Sequence, residues 1–454
     1  MRSININRMI DEAKFNRFHG LVLFWCAFII IFDGYDLVVY GSVAPVLMKE
    51  WSLDAVQTGS LASYALFGIM FGALLFGPMA DKIGRKNVIM ICAALFSLFT
   101  VLNGLAKTPT EFGIYRFLAG LGFGGVMPNA VSLITEYAPK KLRSSLVTIM
   151  FSGYCVGGML SAGLGIVLIP KFGWESVFFV GGLPLVLLPF IYKYLPDSIG
   201  FLLAQNKMEQ VGQLLAKIDP SFTPQKKDHY EMVLPQKTGN TVVQLFKNGR
   251  ALSTVMIWIS FAMCLLMMYG LNTWLPKIMQ KAGYELGSSI MFLLVLNFGA
   301  IFGAIFGGWA ADRWNAKKVL VVFFTVAVTS LTLLGFKFNT FVLYLLVGMA
   351  GATTTGTQII AYAFASQYYP IQMRSTGVGW ASGIGRWGAV LGPMMGGYLI
   401  TLDLPVQQYF LAYAMPGVIA AIAIGLVKEK NAFNQVIEEN DNIVAKTTTD
   451  HPVI

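Results

Sequence analysis

Apolar runs of about 20 residues recur along nearly the whole chain, separated by short polar turns. A run of that length crosses a hydrocarbon core as a helix, because inside a bilayer a helix satisfies every backbone polar group without water. Twelve such runs are expected, centred near residues 32, 68, 97, 123, 156, 184, 264, 299, 327, 352, 387 and 416. The pattern therefore predicts an all-α membrane protein with twelve transmembrane helices. One long polar stretch follows the sixth run and contains Asp219-Pro220-Ser221, Lys226-Lys227-Asp228 and Thr238-Gly239-Asn240. It reads as a hydrophilic linker with one short amphipathic helix near Ala204 to Ile218. The expected organisation is a six-helix half at 1–195, a linker at 196–250, a second six-helix half at 251–430 and a tail at 431–454.

Composition agrees with a membrane protein. Of 454 residues, 56% are hydrophobic and only 12% charged, roughly half the charged share of an ordinary soluble chain. The first run is too long for a signal-peptide core, and no small-residue cleavage site follows it. The net charge of +10 is explained by topology, with no need of a nucleic-acid partner. With both termini cytoplasmic, 24 Lys and Arg fall on the cytoplasmic side and 6 on the other, the bias of the positive-inside rule. A multi-pass protein of the cell's inner membrane is expected. Cys26, Cys92, Cys155 and Cys264 sit singly in four runs and read as small core residues, with neither metal-ligand spacing nor a disulfide framework.

The two halves are repeats. Gly77-Pro78-Met79-Ala80-Asp81-Lys82-Ile83-Gly84-Arg85-Lys86 follows the second run, and Gly308-Trp309-Ala310-Ala311-Asp312-Arg313-Trp314-Asn315-Ala316-Lys317 follows the eighth. Tyr137-Ala138-Pro139 with Arg143-Ser144 follows the fourth, and Tyr368-Tyr369-Pro370 with Arg374-Ser375 follows the tenth. Each matching pair is 231 residues apart. Parallel six-helix repeats are a transporter design with the substrate near the midplane between them.

On these motifs the chain resembles the major facilitator superfamily over essentially its full length. Gly77 to Lys86 matches that family's loop between spans two and three, and Arg116-Phe117-Leu118-Ala119-Gly120-Leu121-Gly122-Phe123-Gly124 matches its span-four pattern. The second-half loop departs from the pattern, with Asn315-Ala316 where Gly and Arg would stand. Asp33-Gly34-Tyr35-Asp36 looks like the span-one mark of the aromatic acid:proton symporters. Asn272-Thr273-Trp274-Leu275-Pro276 and Arg386 are also similar to that group, and the run to Gly41 looks closest to its benzoate carriers. The resemblance implies the major facilitator fold and proton-coupled import of benzoate or a hydroxybenzoate-like acid by alternating access. Another organic acid (quinate, nicotinate, a sugar acid) or a sugar-type substrate stays open as the alternative.

The repeat also separates scaffold from chemistry, since a feature present in one half alone is not architectural. Asp33 and Asp36 project onto Cys264 and Met267, Arg116 onto Val347, Arg386 onto Cys155 and Glu136 onto Gln367. Intramembrane charges are costly and mark ion or substrate paths. Asp33 and Asp36, three residues apart, share a helical face, and two carboxylates so close in a low dielectric are not easily both ionised. They are the expected proton-coupling groups, with Arg116 and Glu136; the alternative is that Gly34 bends the helix and the acids bind freed backbone amides. For Arg116 the proton-transfer role comes from the resemblance, and a structural role against span one is the alternative. Arg386 stays charged in any setting, so it needs an anion: an Asp of span one at rest, or a substrate carboxylate held bidentately. A permanent structural bridge is its alternative.

The expected substrate pocket adds Asp36, Asn129, Asn272, Asn297 and Gln358, with Trp274, Trp380 and Tyr35 as aromatic walls. Trp51, Trp174 and Trp309 read as interfacial belt residues. Asp81, Arg85, Arg143, Asp312 and Arg374 read as gate residues, with Glu136 expected beside Arg143. Glycines at Gly153, Gly157, Gly158, Gly299, Gly303 and Gly307 read as packing devices. His19, His229 and His451 lie outside the runs, and no metal cluster or Ser/His/Asp set can be assembled at one depth, so neither an enzyme nor a resident cofactor or metal is expected. The partners expected are a small acid, protons and the bilayer, and the chain is expected to act as a monomer.

Overall fold

The structure, a computed structural model, describes residues 3–225, 228–231, 241–247, 249–369 and 373–428. A helix answers each expected run. In order the spans are Arg17–Glu50, Ala55–Ile83, Arg85–Asn103, Pro109–Tyr137, Arg143–Phe172, and a sixth made of Glu175–Val180 and Leu183–Tyr194. The second series is Ala251–Lys281, Leu286–Arg313, Ala316–Leu334, Thr340–Tyr368, Arg374–Thr401 and Val406–Leu426. Among the described residues eleven of these are long and apolar enough to cross a membrane. The other, Arg374–Thr401, has 28 residues, but its many glycines and the charge of Arg386 dilute its hydropathy. The sixth span is interrupted at Gly181-Gly182. The four cysteines are buried and free.

The amphipathic helix expected in the linker is two pieces, Ile199–Ala204 and Met208–Ile218. A feature with no sequence signal precedes the first span. Ser3–Asn5 forms a parallel strand pair with His229–Glu231, followed by a short helix, Ile6–Glu12, capped by Asn5.

Two compact units emerge: Met1–Gln236 with Thr273–Leu294, and Lys237–Asn272 with Val295–Ile454. The division therefore differs from the expected halves: the hairpin joining spans seven and eight clusters with the first unit, where Gly163 of span five lies within van der Waals reach of Leu294.

Within each unit, helices approach by backbone contact. At Gly34 a Cβ would stand 2.0 Å from the carbonyl oxygen of Tyr154, and at Gly157 it would stand 1.8 Å from that of Ile31. Only glycine lets spans one and five meet this closely. The first span runs unbroken through Gly34, so this residue is a contact point and not the helix bend weighed as an alternative. In the second unit Gly299 and Gly303 meet the backbone of span ten at Gly348 and Ala352, and Gly388 brings span eleven onto Ala262 of span seven. The first unit's pairing of spans one and five thus recurs as seven and eleven.

Trp174 corrects one expectation. It is 3% exposed, donates from Nε1 to Glu50 at 2.8 Å and meets Trp51 edge-on at 5.4 Å. It ties the end of span one to the start of span six instead of facing lipid. Trp309 is exposed, with Arg313 over its ring at 5.5 Å.

Candidate functional site

Both span-one acids are buried, Asp33 at 3% and Asp36 at 1% exposure. Asp36 Oδ2 accepts from Arg116 Nη1 at 2.7 Å, and both side chains are 1% exposed. The same Nη1 lies 3.3 Å from the Asp36 carbonyl oxygen, and Thr100 Oγ1 donates to Asp36 Oδ1 at 2.8 Å. Tyr40, one turn further along span one, places its ring 5.4 Å from the Arg116 guanidinium carbon. Thus spans one, three and four converge on one carboxylate and satisfy both its oxygens. The sequence expectation named Arg386 as the counter-charge of a span-one acid; for Asp36 the structure supplies Arg116. The reason is geometric: Asp36 and Arg116 occupy facing positions within one unit, a juxtaposition that sequence distance conceals.

Arg386 is half-buried in the middle of span eleven, in the second unit. The same unit joins two expected pocket residues. Asn297 Nδ2 donates to Asn272 Oδ1 at 3.1 Å, and Asn272 Nδ2 donates to the Met268 carbonyl at 2.8 Å. Gln358 is half-buried, next to a run of buried hydroxyls at Thr353, Thr354, Thr355 and Thr357. That polar string inside an apolar span was legible in the sequence and was passed over. Trp380 is 45% exposed and stacks on Trp258 at 5.8 Å. In the first unit Trp274 is fully buried, Asn129 Nδ2 donates to its own helix at Gly125 O, and the Tyr35 hydroxyl donates to the Val177 carbonyl at 2.7 Å.

A second polar cluster occupies the linker side of the first unit. Arg85 is paired with Glu136 and reaches the Ser132 carbonyl at 3.2 Å. Glu136 also accepts from Ser198 Oγ and from the Gly200 backbone N–H, each at 2.9 Å. The Tyr137 hydroxyl donates to the Asp197 carbonyl. Glu136 was expected beside Arg143, and here the structure differs. Arg143 pairs with Asp11 at 2.8 Å, because the N-terminal segment lies across the loop before span five, where Lys140 N donates to the Asp11 carbonyl. Asp11, Asp197 and Ser198 carried no motif and were missed. The side chains of Asp81, Asp312 and Arg374 lie outside the described residues.

An all-helical membrane protein of two six-helix repeats, with a buried ion pair inside one repeat, is the architecture of a carrier. The model of the Major Facilitator Superfamily matches residues 26–305 and 288–445, and the chain belongs to that superfamily. The benzoate transport protein of Acinetobacter baylyi is 46% identical over 98% of both chains. The gallate transporter of Pseudomonas putida is 35% identical over 93% of this chain and 94% of its own. The gentisate transporter of Corynebacterium glutamicum is 34% identical over 90% and 87%. Among solved structures, a bacterial homologue of the human lysosomal transporter Spinster superposes with a TM-score of 0.70 at 18% identity, covering 93% of this chain and 99% of that one. The xylose transporter XylE of E. coli gives 0.68 at 16% identity, covering 90% and 100%. These two likenesses concern the fold alone.

Proposed function

We infer that this chain is a proton-coupled symporter that imports a small aromatic carboxylate, benzoate or a hydroxylated relative, by alternating access. It acts as a monomer in the inner membrane with both termini cytoplasmic. The substrate class rests on relatives that carry benzoate, gallate and gentisate. The single observation behind the coupling is the Asp36–Arg116–Thr100 cluster, a charge pair at a depth where neither partner is hydrated. Arg116 keeps its charge under all conditions, whereas Asp36 can be neutralised by a proton, so protonation is the event that dissolves the pair. Asp33, one turn nearer the cytoplasmic end on the same face, is then the next station for an inward-moving proton.

In this reading Arg386 holds the substrate carboxylate, and the Asn272–Asn297 pair and Gln358 orient it. The Trp380–Trp258 stack supplies aromatic surface. Glu136 with Arg85 is the cytoplasmic gate pair, and Arg143 with Asp11 braces the neighbouring loop. A niacin transporter at 27% identity over 92% of the chain favours nicotinate as the second candidate.

Uptake of labelled benzoate by cells expressing the chain is expected to collapse when a protonophore is added. Accumulation that survives loss of the proton gradient removes the symport assignment. Arg386→Lys keeps the charge and loses the two-pronged fork, so substrate affinity is expected to fall roughly tenfold, the equivalent of about 1.4 kcal/mol. Unchanged affinity removes Arg386 from the carboxylate site.

A further inference from the structure

We propose that a cavity on the linker side of the first unit binds the phosphate of an anionic phospholipid. The cavity has a volume of about 390 Å³, and Arg17, Lys86, Lys193 and Lys217 converge on it from four separate segments. No carboxylate is among its lining residues, and among the described residues none of the four cations forms a salt bridge. Burial is the largest influence on the Lys86 ammonium and disfavours its charge; Asp197, outside the lining, favours it, and Lys217 opposes it more weakly.

Like charges held together at this density need a reason, and two structural details supply one. Arg17 is the first residue of span one and Lys86 the second of span three. Both cations therefore stand at helix N-termini, the end whose dipole disfavours a cation and attracts an anion. Span three has no side-chain cap, so an anion in the cavity would serve that helix end and four basic side chains together. The second detail is what fixes the convergence. Asn16 caps span one by accepting from Phe18 N and His19 N, and its amide donates to the carbonyls of Lys217 and Ile218 at 2.9 and 3.0 Å. One side chain thus clamps the end of the linker helix against the start of span one.

The surroundings favour a lipid phosphate over a free one. Leu21, Tyr194 and Leu214 line the same cavity, so apolar surface adjoins the cations. Lys86 lies over the Tyr192 ring at 4.1 Å and Lys193 over Tyr194 at 5.6 Å. Both tyrosines are exposed, as are Val186 and Phe190 on the same helix, which marks this side of span six as facing lipid. Tyrosines at that level belong to the membrane interface, and basic pockets between spans there suit anionic headgroups.

The test uses the purified full-length protein in neutral detergent, with native mass spectrometry reading retained lipid. Phosphatidylglycerol is expected to be retained at one molecule per chain at least tenfold better than phosphatidylcholine. Lys86→Gln/Lys217→Gln is expected to abolish that preference, and Lys193→Gln alone, at an exposed helix end, to weaken it several-fold should the double variant misfold. Lys318→Gln, an exposed basic residue of the other unit, loses one charge as Lys193→Gln does and is expected to leave retention unchanged. Equal loss in Lys318→Gln, or unchanged retention in the properly folded double variant, overturns the site. Displacement of the lipid by millimolar inorganic phosphate would instead assign the cavity to free phosphate and overturn the lipid assignment.

Discussion

Asp36 and Arg116 have each left water, and their attraction balances desolvation only while both are present. Removing one partner of such a buried pair costs about 3–5 kcal/mol, but the two removals are not equivalent. Asp36→Asn strands a guanidinium that has no neutral form. Arg116→Leu strands a carboxylate, which a proton can neutralise. Thermal unfolding in detergent is therefore expected to show Asp36→Asn destabilised at every pH, whereas the deficit of Arg116→Leu shrinks as the pH is lowered. The double variant is expected to recover most of the loss, since it removes the charge and its need together. In transport, Asp36→Asn is expected to abolish gradient-driven accumulation and to leave counterflow exchange. Normal accumulation in that variant would take Asp36 out of the coupling path. The cost of placing Asp33 and Asp36 inside an apolar run was readable in the sequence. The identity of Asp36's partner was not, because Arg116 is 80 residues away and Thr100 is a hydroxyl in the uncharged part of span three.

Between helices, distance is set by what the backbone carries. Gly34 and Gly157 bring spans one and five together so closely that a Cβ at Gly157 would overlap a carbonyl oxygen at 1.8 Å. Gly157→Val is expected to push the two spans apart and to cost about 1–3 kcal/mol or more, as overpacking of a fitted core does. Because a Cβ at Gly157 would stand 2.7 Å from Tyr35 N, the displacement lands between Asp33 and Asp36, and coupling is expected to fail along with stability. Retained stability and uptake in that variant would show that the contact yields easily. The small-residue spacing made such packing predictable, but not which helix each glycine would meet. By contrast, the break at Gly181-Gly182 inside an otherwise continuous apolar run had no hydropathy signal, since hydropathy reports the environment of a segment and not its backbone course.

For the molecule as a whole, the twelve helices and the repeat were visible because bilayer thickness dictates run length and because duplicated loops keep their register. The N-terminal strap was not visible. Its strand, its Asp11–Arg143 pair at 2.8 Å and the Asn16 clamp are polar contacts between segments of ordinary composition. Arg143→Gln is expected to loosen the strap, raising hydrogen exchange at Ile6–Glu12 several-fold with little change in the spans; unchanged exchange would show that the strand pair and the Lys140–Asp11 backbone bond hold it without the ion pair. The pairing of Ser3–Asn5 with His229–Glu231 also bears on how the protein is made. At elongation rates of about 5–20 residues per second, the early strand waits on the order of tens of seconds for its partner to leave the ribosome. By then the six spans between them have been synthesised, so the strand can close only behind a complete first set. Ser3–Asn5 can thus be fastened only after the first six spans have been made.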